Sequence, residues 1–326
     1  MRAPSPRLSS GPSAPGPLDP EVLARTRSLA LRVRMVVDGR LGGVHRGRHH
    51  GSSVEFSEHK EYSPGDDLRR VDWRAFARAD KLYVKRFEQE ASLQAVLAVD
   101  ASGSMAYGHA GLLTKLEYAS VLAASLASVL LSQQDAVGLV TWADGPPGVV
   151  PPRRGPGHLA PLVERLEGLS PHGTTDLPAG LAAAGGLAAP GDGGRRRGVV
   201  ALFSDLLTPL EPTLAALRRL SSRGHEVLVF QVLDGDELDL PFQAMTLFEG
   251  LETDHRLLVE PRLIRARYLR HLARHLEALR RGAAEAGARY LLADTRRSPA
   301  DVLTAALRGP HGGATRPGAA SDRGGR

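Results

Sequence analysis

From Leu93 onward the chain alternates short apolar runs with amphipathic stretches, and this alternation constrains the fold more than any other feature of its 326 residues. LQAVLAVD, AVGLVTWAD, GVVALFSD and EVLVFQVL have strand length and are apolar almost throughout. Between them, TKLEYASVLAASLASVLLSQQ, HLAPLVERLEGL, DLPAGLAAAGGL and EPTLAALRRLSS carry helical spacing. Strands apolar on both faces need cover on both faces. The pattern therefore predicts an α/β fold with a doubly wound, mostly parallel sheet over residues 92–308. After Leu233, MTLFEGLETDHRLLVEP predicts two short antiparallel strands about EGLETD, a hairpin insertion near 240–260. A long helix from about Pro261 to Ala286, a strand ARYLLAD and a helix from Pro299 to Leu307 complete the layer.

Upstream the pattern is different. Residues 1–19 and 309–326 are rich in Pro, Ser and Gly and are expected to be disordered tails. Residues 20–91 are expected to form an N-terminal helix, from Leu18 to Val37, followed by a subdomain rich in Gly, His, Arg and Asp that ends in the strand-like KLYVKRFEQE. That segment and the hairpin both lack helices, so together they are expected to make a small β-rich subdomain at the sheet's edge. No internal repeat is present.

Composition excludes several function classes. With no cysteine, disulfides, thiolate zinc sites and cysteine nucleophiles are ruled out. No run reaches the roughly 18 apolar residues of a membrane span, and the N-terminus lacks a signal-peptide core, so a cytoplasmic chain with no membrane span is expected. The net charge of +6 comes almost wholly from arginine, lysine occurring only at 60, 81, 85 and 115. These arginines are scattered, without the aromatic-interleaved stripe that single-stranded nucleic acid selects, so no nucleic-acid partner is expected.

The chemistry gathers at the strand ends. In open α/β sheets ligands sit beyond the carboxyl ends of the strands. Asp100 closes the first strand of the alternation, with Ser102 and Ser104 at alternate positions after it, and Gly103 lets the loop turn sharply. Asp205 closes GVVALFSD on the same rim, and SPHGTTDLPAG between them offers the hydroxyls of Thr174 and Thr175. Carboxylates and hydroxyls are hard oxygen donors that suit Mg2+ or Mn2+ better than zinc. The plainer alternative is that Asp100 and the serines cap the following helix and satisfy a turn.

This arrangement resembles the von Willebrand factor A domain, whose metal-ion-dependent adhesion site has the form D-x-S-x-S, then a threonine in a GGT-like loop, then an aspartate. The resemblance implies a metal held by Asp100, Ser102, Ser104, Thr175 and Asp205. One departure is that Leu206 follows Asp205 where the family usually has glycine. The segment from Ser52 to Glu90 resembles the signature of the bacterial family catalogued as domain of unknown function 58: Glu55 with Phe56, the turn Tyr62 to Arg69 containing PGDD, Asp72 with Trp73, and Ala77 with Arg78. Its acidic and arginine side chains around Trp73 read as a structural ion-pair network. That resemblance implies a MoxR-type AAA+ ATPase as partner, or a client protein offering a carboxylate to the metal, in complex assembly or remodelling.

Other constellations are weaker. His45, His49 and His50 sit among arginines that would repel a cation, and His271 with His275 lacks a third ligand. Asp100 in DASGS resembles a nucleophilic aspartate, but the second carboxylate of such phosphatases is Ser102 here, which removes the proton donor. The sequence reading is thus a non-enzymatic, divalent-metal-dependent protein-binding module without catalytic residues. A metal-dependent phosphohydrolase using Asp100, or a basic nucleic-acid-binding protein, are its rivals.

Overall fold

The computed structural model describes residues 20–26, 28–38, 56–61, 83–87, 93–189 and 198–308. It divides into two compact units, residues 1–42 with 93–326, and residues 43–92. In the smaller unit β1 (Phe56–Glu61) and β2 (Tyr83–Phe87) pair antiparallel, with Glu61 opposite Tyr83 and an irregularity between Phe56 and Glu58. The PGDD turn, the Asp72 and Trp73 pair and His45, His49 and His50 lie outside the described residues.

The larger unit is built on β3 (Gln94–Asp100), β4 (Ala136–Trp142), β5 (Gly148–Arg153), β6 (Val199–Ser204) and β7 (Glu226–Leu233). The hairpin β8 (Thr246–Glu249) and β9 (Arg256–Val259) forms its own two-stranded sheet, and β10 (Ala288–Asp294) joins the main one. The main sheet has the order β5-β4-β3-β6-β7-β10. Counted along the chain this is the doubly wound order 3-2-1-4-5-6, in which the winding reverses between β3 and β6. All pairs are parallel except β4 with β5.

β5 has no counterpart in the sequence reading, which assigns no element between AVGLVTWAD and HLAPLVERLEGL. It is an edge strand, where Pro151 and Pro152 need no ladder partner on the open side, and its burial alternates as a one-sided strand should. The expected single N-terminal helix is instead α1 (Pro20–Arg25) and α2 (Leu29–Val36). Ser28 stops the run by adopting extended φ/ψ and capping α2 through the Leu31 amide. The buried Arg32 spans the break, donating to the Leu23 carbonyl at 3.0 Å and to Glu117 Oε1 at 3.3 Å. The hairpin belongs to the larger unit, so it and the 43–92 segment do not form one subdomain.

The remaining helices are α3 (Lys115–Ser132), α4 (Leu159–Glu167), α5 (Leu177–Ala188), α6 (Leu210–Ser222), α7 (Gly235–Asp239), α8 (Pro261–Glu285) and α9 (Pro299–Leu307). The period-2 alternation of β3 decides which covers which face. Ala95, Leu97 and Val99 join Phe203, Phe230 and residues of α2, α3, α4 and α9 in one core, where Phe203 and Phe230 stack at 4.7 Å. Val96 and Ala98 join Val200, Leu202 and residues of α5, α6 and α8 in the other. Thr114 and Glu117 close a capping box at the start of α3, worth about 1 kcal/mol. Among the described residues α3 is the one helix long and apolar enough to cross a membrane, and 83% of it is buried as the central helix of the first core. The sequence reading stopped that apolar stretch short of span length.

Candidate functional site

The rim at the reversal of winding collects the side chains singled out by the sequence. β3 ends on Asp100 and β6 on Ser204, neighbours in the sheet, so the residues that follow are delivered to one place. Asp100, Ser102 and Asp205 are buried, whereas Ser104 and Thr175 are half-buried. Asp100 Oδ1 accepts from the Ser102 amide at 3.0 Å. Its Oδ2 accepts from Thr175 Oγ1 at 3.0 Å and from Ser204 Oγ at 2.7 Å. The hydroxyls of Ser102 and Ser104 are 3.3 Å apart. Asp100, Ser102, Ser104 and Thr175 therefore form one connected cluster.

Two further loops hold the cluster in shape. The Gly103 amide donates to the Gly173 carbonyl at 2.9 Å, and the His172 amide to the Ala101 carbonyl at 3.1 Å, which ties the serine loop to the Gly-Thr loop. Gly103 is needed for close approach more than for its bend, because a Cβ there would lie 2.2 Å from the Leu251 carbonyl oxygen. Trp142, buried at the end of β4, donates its indole N–H to Thr175 Oγ1 at 3.0 Å. Thr174 is exposed. A hydroxyl has one proton and two lone pairs, so Thr175, which donates to Asp100 and accepts from Trp142, keeps one lone pair free.

Asp205 stands beside this cluster with its own partners. Its Oδ2 accepts from Lys115 Nζ at 2.8 Å and its Oδ1 from the Leu207 amide at 3.2 Å. Lys115 also donates to Glu237 Oε1 at 2.7 Å, and its side chain is 1% exposed. Burial works strongly against the lysine's charge, but the two carboxylates outweigh it and raise its pKa, so it is held as a cation. Burial also pushes the Asp100 carboxyl above its ordinary range. The Ser102 amide and the Ser204 hydroxyl oppose that shift, and the charge of Asp205 adds to it.

Leu206 carries the departure from the glycine usual after that aspartate. It adopts φ 53°, the left-handed conformation that glycine enters freely, at a cost of about 1–2 kcal/mol for a side-chain-bearing residue. The buried leucine side chain joins the second core, a gain of about 1.5–3 kcal/mol that offsets the strain. The loop thus keeps the backbone a glycine would give. His275 is half-buried and donates to the Leu206 carbonyl at 2.9 Å, while His271 is exposed. Neither belongs to a ligand set, and among the described residues no group of three or more His, Asp or Glu is placed to hold a metal by itself.

The donor set nonetheless fits a hard cation assisted by hydroxyls. An octahedral Mg2+ with bonds of about 2.1 Å sets neighbouring ligand oxygens about 3 Å apart, close to the spacing of the Ser102 and Ser104 hydroxyls. Asp100 is a buried carboxylate hydrogen-bonded only by neutral donors, and a cation beside it would favour its charged form. Ser204, Trp142, Lys115, Glu237 and Glu252, whose Oε1 is 3.4 Å from the Ser104 amide, were not reached by sequence reasoning. Lys115 alone left a local signal, as one of four lysines in an arginine-rich chain and the one that opens an apolar helix.

The structure is an α/β fold with a doubly wound, mostly parallel sheet whose rim is lined by oxygens where the winding reverses. The chain belongs to the family described as "Protein of unknown function DUF58", whose model matches residues 58–278. An uncharacterized protein of Mycobacterium tuberculosis is 32% identical over 227 residues, 68% of each chain. Among solved structures, an aerotolerance-related membrane protein from Bacteroides fragilis is 22% identical, covering 66% of this chain and 98% of that one with a TM-score of 0.41. A von Willebrand factor type A protein from Catenulispora acidiphila is 16% identical, covering 66% and 41% with a TM-score of 0.39. The fold class rests on sheet order and register, to which these likenesses add no chemistry. They do correct the expected cytoplasmic location, since a similar structure comes from a protein described as a membrane protein. The lack of an apolar run in one stretch of chain does not fix the compartment in which the fold works.

Proposed function

We propose that this chain is a non-enzymatic protein-binding module that takes Mg2+ or Mn2+ at the rim and presents it to an acidic side chain of a partner. The observation that carries the reading is the buried Asp100, held by neutral donors beside the paired hydroxyls of Ser102 and Ser104. The hydroxyls of Ser102, Ser104 and Thr175 hold the cation, anchored by Asp100. Asp205, engaged by Lys115, contributes charge from further out. With few charged ligands of its own, the bound cation stays electrophilic and favours an incoming carboxylate.

The geometry gives the rival readings little support. Among the described residues the Ser102 hydroxyl meets a second serine and no imidazole, so none of them supplies the base that activates a nucleophile. Both oxygens of Asp100 are engaged and the residue is fully buried, which suits an anchor better than an attacking group. Family resemblance supplies the partner class, a MoxR-type AAA+ ATPase or a client protein with an accessible carboxylate.

Thermal unfolding with Mn2+ and with EDTA tests the cation. A ligand at a hundredfold excess over its Kd stabilises the folded chain by about 2.7 kcal/mol, so Mn2+ is expected to raise Tm in the wild type and in Glu249→Gln. It is expected to leave Asp100→Ala and the milder Ser102→Ala unmoved. Equal Tm shifts in all four chains would overturn the reading. Capture of a MoxR-type ATPase on the immobilised wild type is expected to be released by EDTA and to be lost in Ser102→Ala.

A further inference from the structure

The hairpin reaches the rim and brings a carboxylate with it. Its turn runs from Gly250 to His255 and is closed by the Gly250 amide donating to the His255 carbonyl at 2.8 Å. Within that turn Gly250, Leu251, Thr253, Asp254 and His255 are exposed, and Glu252 alone is half-buried. Glu252 Oε1 accepts from the Ser104 amide at 3.4 Å, a long contact that places the carboxylate at the serine loop without locking it there. The Leu251 carbonyl packs on Gly103 so tightly that no side chain fits between them. The turn therefore sits on the very loop that carries Ser102 and Ser104.

The hairpin is at the same time lightly held. Its strands have four residues each, short of what a two-stranded ribbon needs to be stable alone. Leu247, Leu257 and Leu258 are all more than half exposed, and its anchor to neighbouring chain includes an edge-to-face contact of Phe248 with Phe242 at 5.5 Å. An element of this kind can leave the rim at small cost.

We infer that Glu252 is the chain's own occupant of the coordination position that a partner's carboxylate would take, so that a partner binds by displacing the hairpin turn. The inference rests on the cation reading proposed above and adds a ligand to it. A tethered carboxylate competes at an effective concentration in the millimolar range or above, which weakens every external carboxylate by a constant factor. Weakly placed acidic groups are then rejected, and a partner that also engages the exposed leucines of the hairpin is favoured. The device is selective because the gate and the apolar surface are one element.

Mn2+ binding to the full chain, followed by electron paramagnetic resonance and by water-proton relaxation, tests this in wild type, Glu252→Gln, Asp100→Ala and Glu249→Gln. Glu249 lies on the same hairpin, where its carboxylate pairs with Arg256, so its variant is the control. Loss of one charged ligand is expected to weaken Mn2+ binding by on the order of tenfold in Glu252→Gln and to raise the relaxivity of the bound ion, because water fills the position. Glutarate, used as a carboxylate probe, is expected to lower that relaxivity in Glu252→Gln at concentrations that leave the wild type unchanged. Affinity and relaxivity equal to those of Glu249→Gln would overturn the inference while leaving the cation reading intact. Absence of Mn2+ binding by the wild type, or equal binding by Asp100→Ala, would overturn both.

Discussion

Lys115 opens α3, where the helix dipole disfavours a cation, and it is buried there as well. Two carboxylates make the position tolerable, Asp205 at 2.8 Å and Glu237 at 2.7 Å. Removing one partner from a buried ion pair leaves uncompensated charge, which costs more than the pair itself contributes. Lys115→Met, which keeps the volume, is therefore expected to lose about 3–5 kcal/mol in urea unfolding. Adding Asp205→Asn and Glu237→Gln to the same chain is expected to recover most of that loss. A single variant within about 1 kcal/mol of wild type would mean that Lys115 is not the counter-charge to Asp205 and Glu237.

At the level of elements, α5 governs the site through Trp142. Gly180 lies against that ring, and a Cβ at this position would stand 2.3 Å from it. Alanine would gain about 1 kcal/mol of helix propensity, and overpacking a filled core costs about 1–3 kcal/mol, so Gly180→Ala is expected to be destabilising on balance. The displaced ring would also loosen its hydrogen bond to Thr175. In a Trp73→Phe background, where Trp142 is the remaining tryptophan, its emission is expected to move to the red; an unchanged spectrum with unchanged stability would contradict this packing. The elements differ in how far local sequence discloses them. The parallel strands were legible because burial on both faces forces continuous apolar runs, as in VVALFS. β5 was hidden by its two prolines, which only an edge position permits, and the break at Ser28 by apolar spacing that runs on through it. In the site, Asp100, Ser102 and Ser104 stand within five residues and form a pattern. Lys115 and Glu237 are 122 residues apart, and Ser104 and Glu252 are 148 apart, so their meeting is decided by the winding of the sheet and leaves no local trace.

Across the whole molecule, stability is distributed unevenly, and the proposed function depends on that unevenness. β3, β6 and β7 have a strand on each side and helices over both faces, whereas β8 and β9 have only each other and expose three leucines. Local opening free energies range from near zero in such peripheral elements to the global value in a central sheet. In EDTA, amides of β3, β6 and β7 are expected to exchange only through global unfolding, and those of the hairpin orders of magnitude faster. Mn2+ ties the rim to the hairpin through Glu252, so its addition is expected to slow exchange at Gly250 to His255 in the wild type but not in Glu252→Gln. A hairpin as protected as β3 in EDTA would mean that it cannot serve as a gate. A partner would then have to approach the rim from outside the turn.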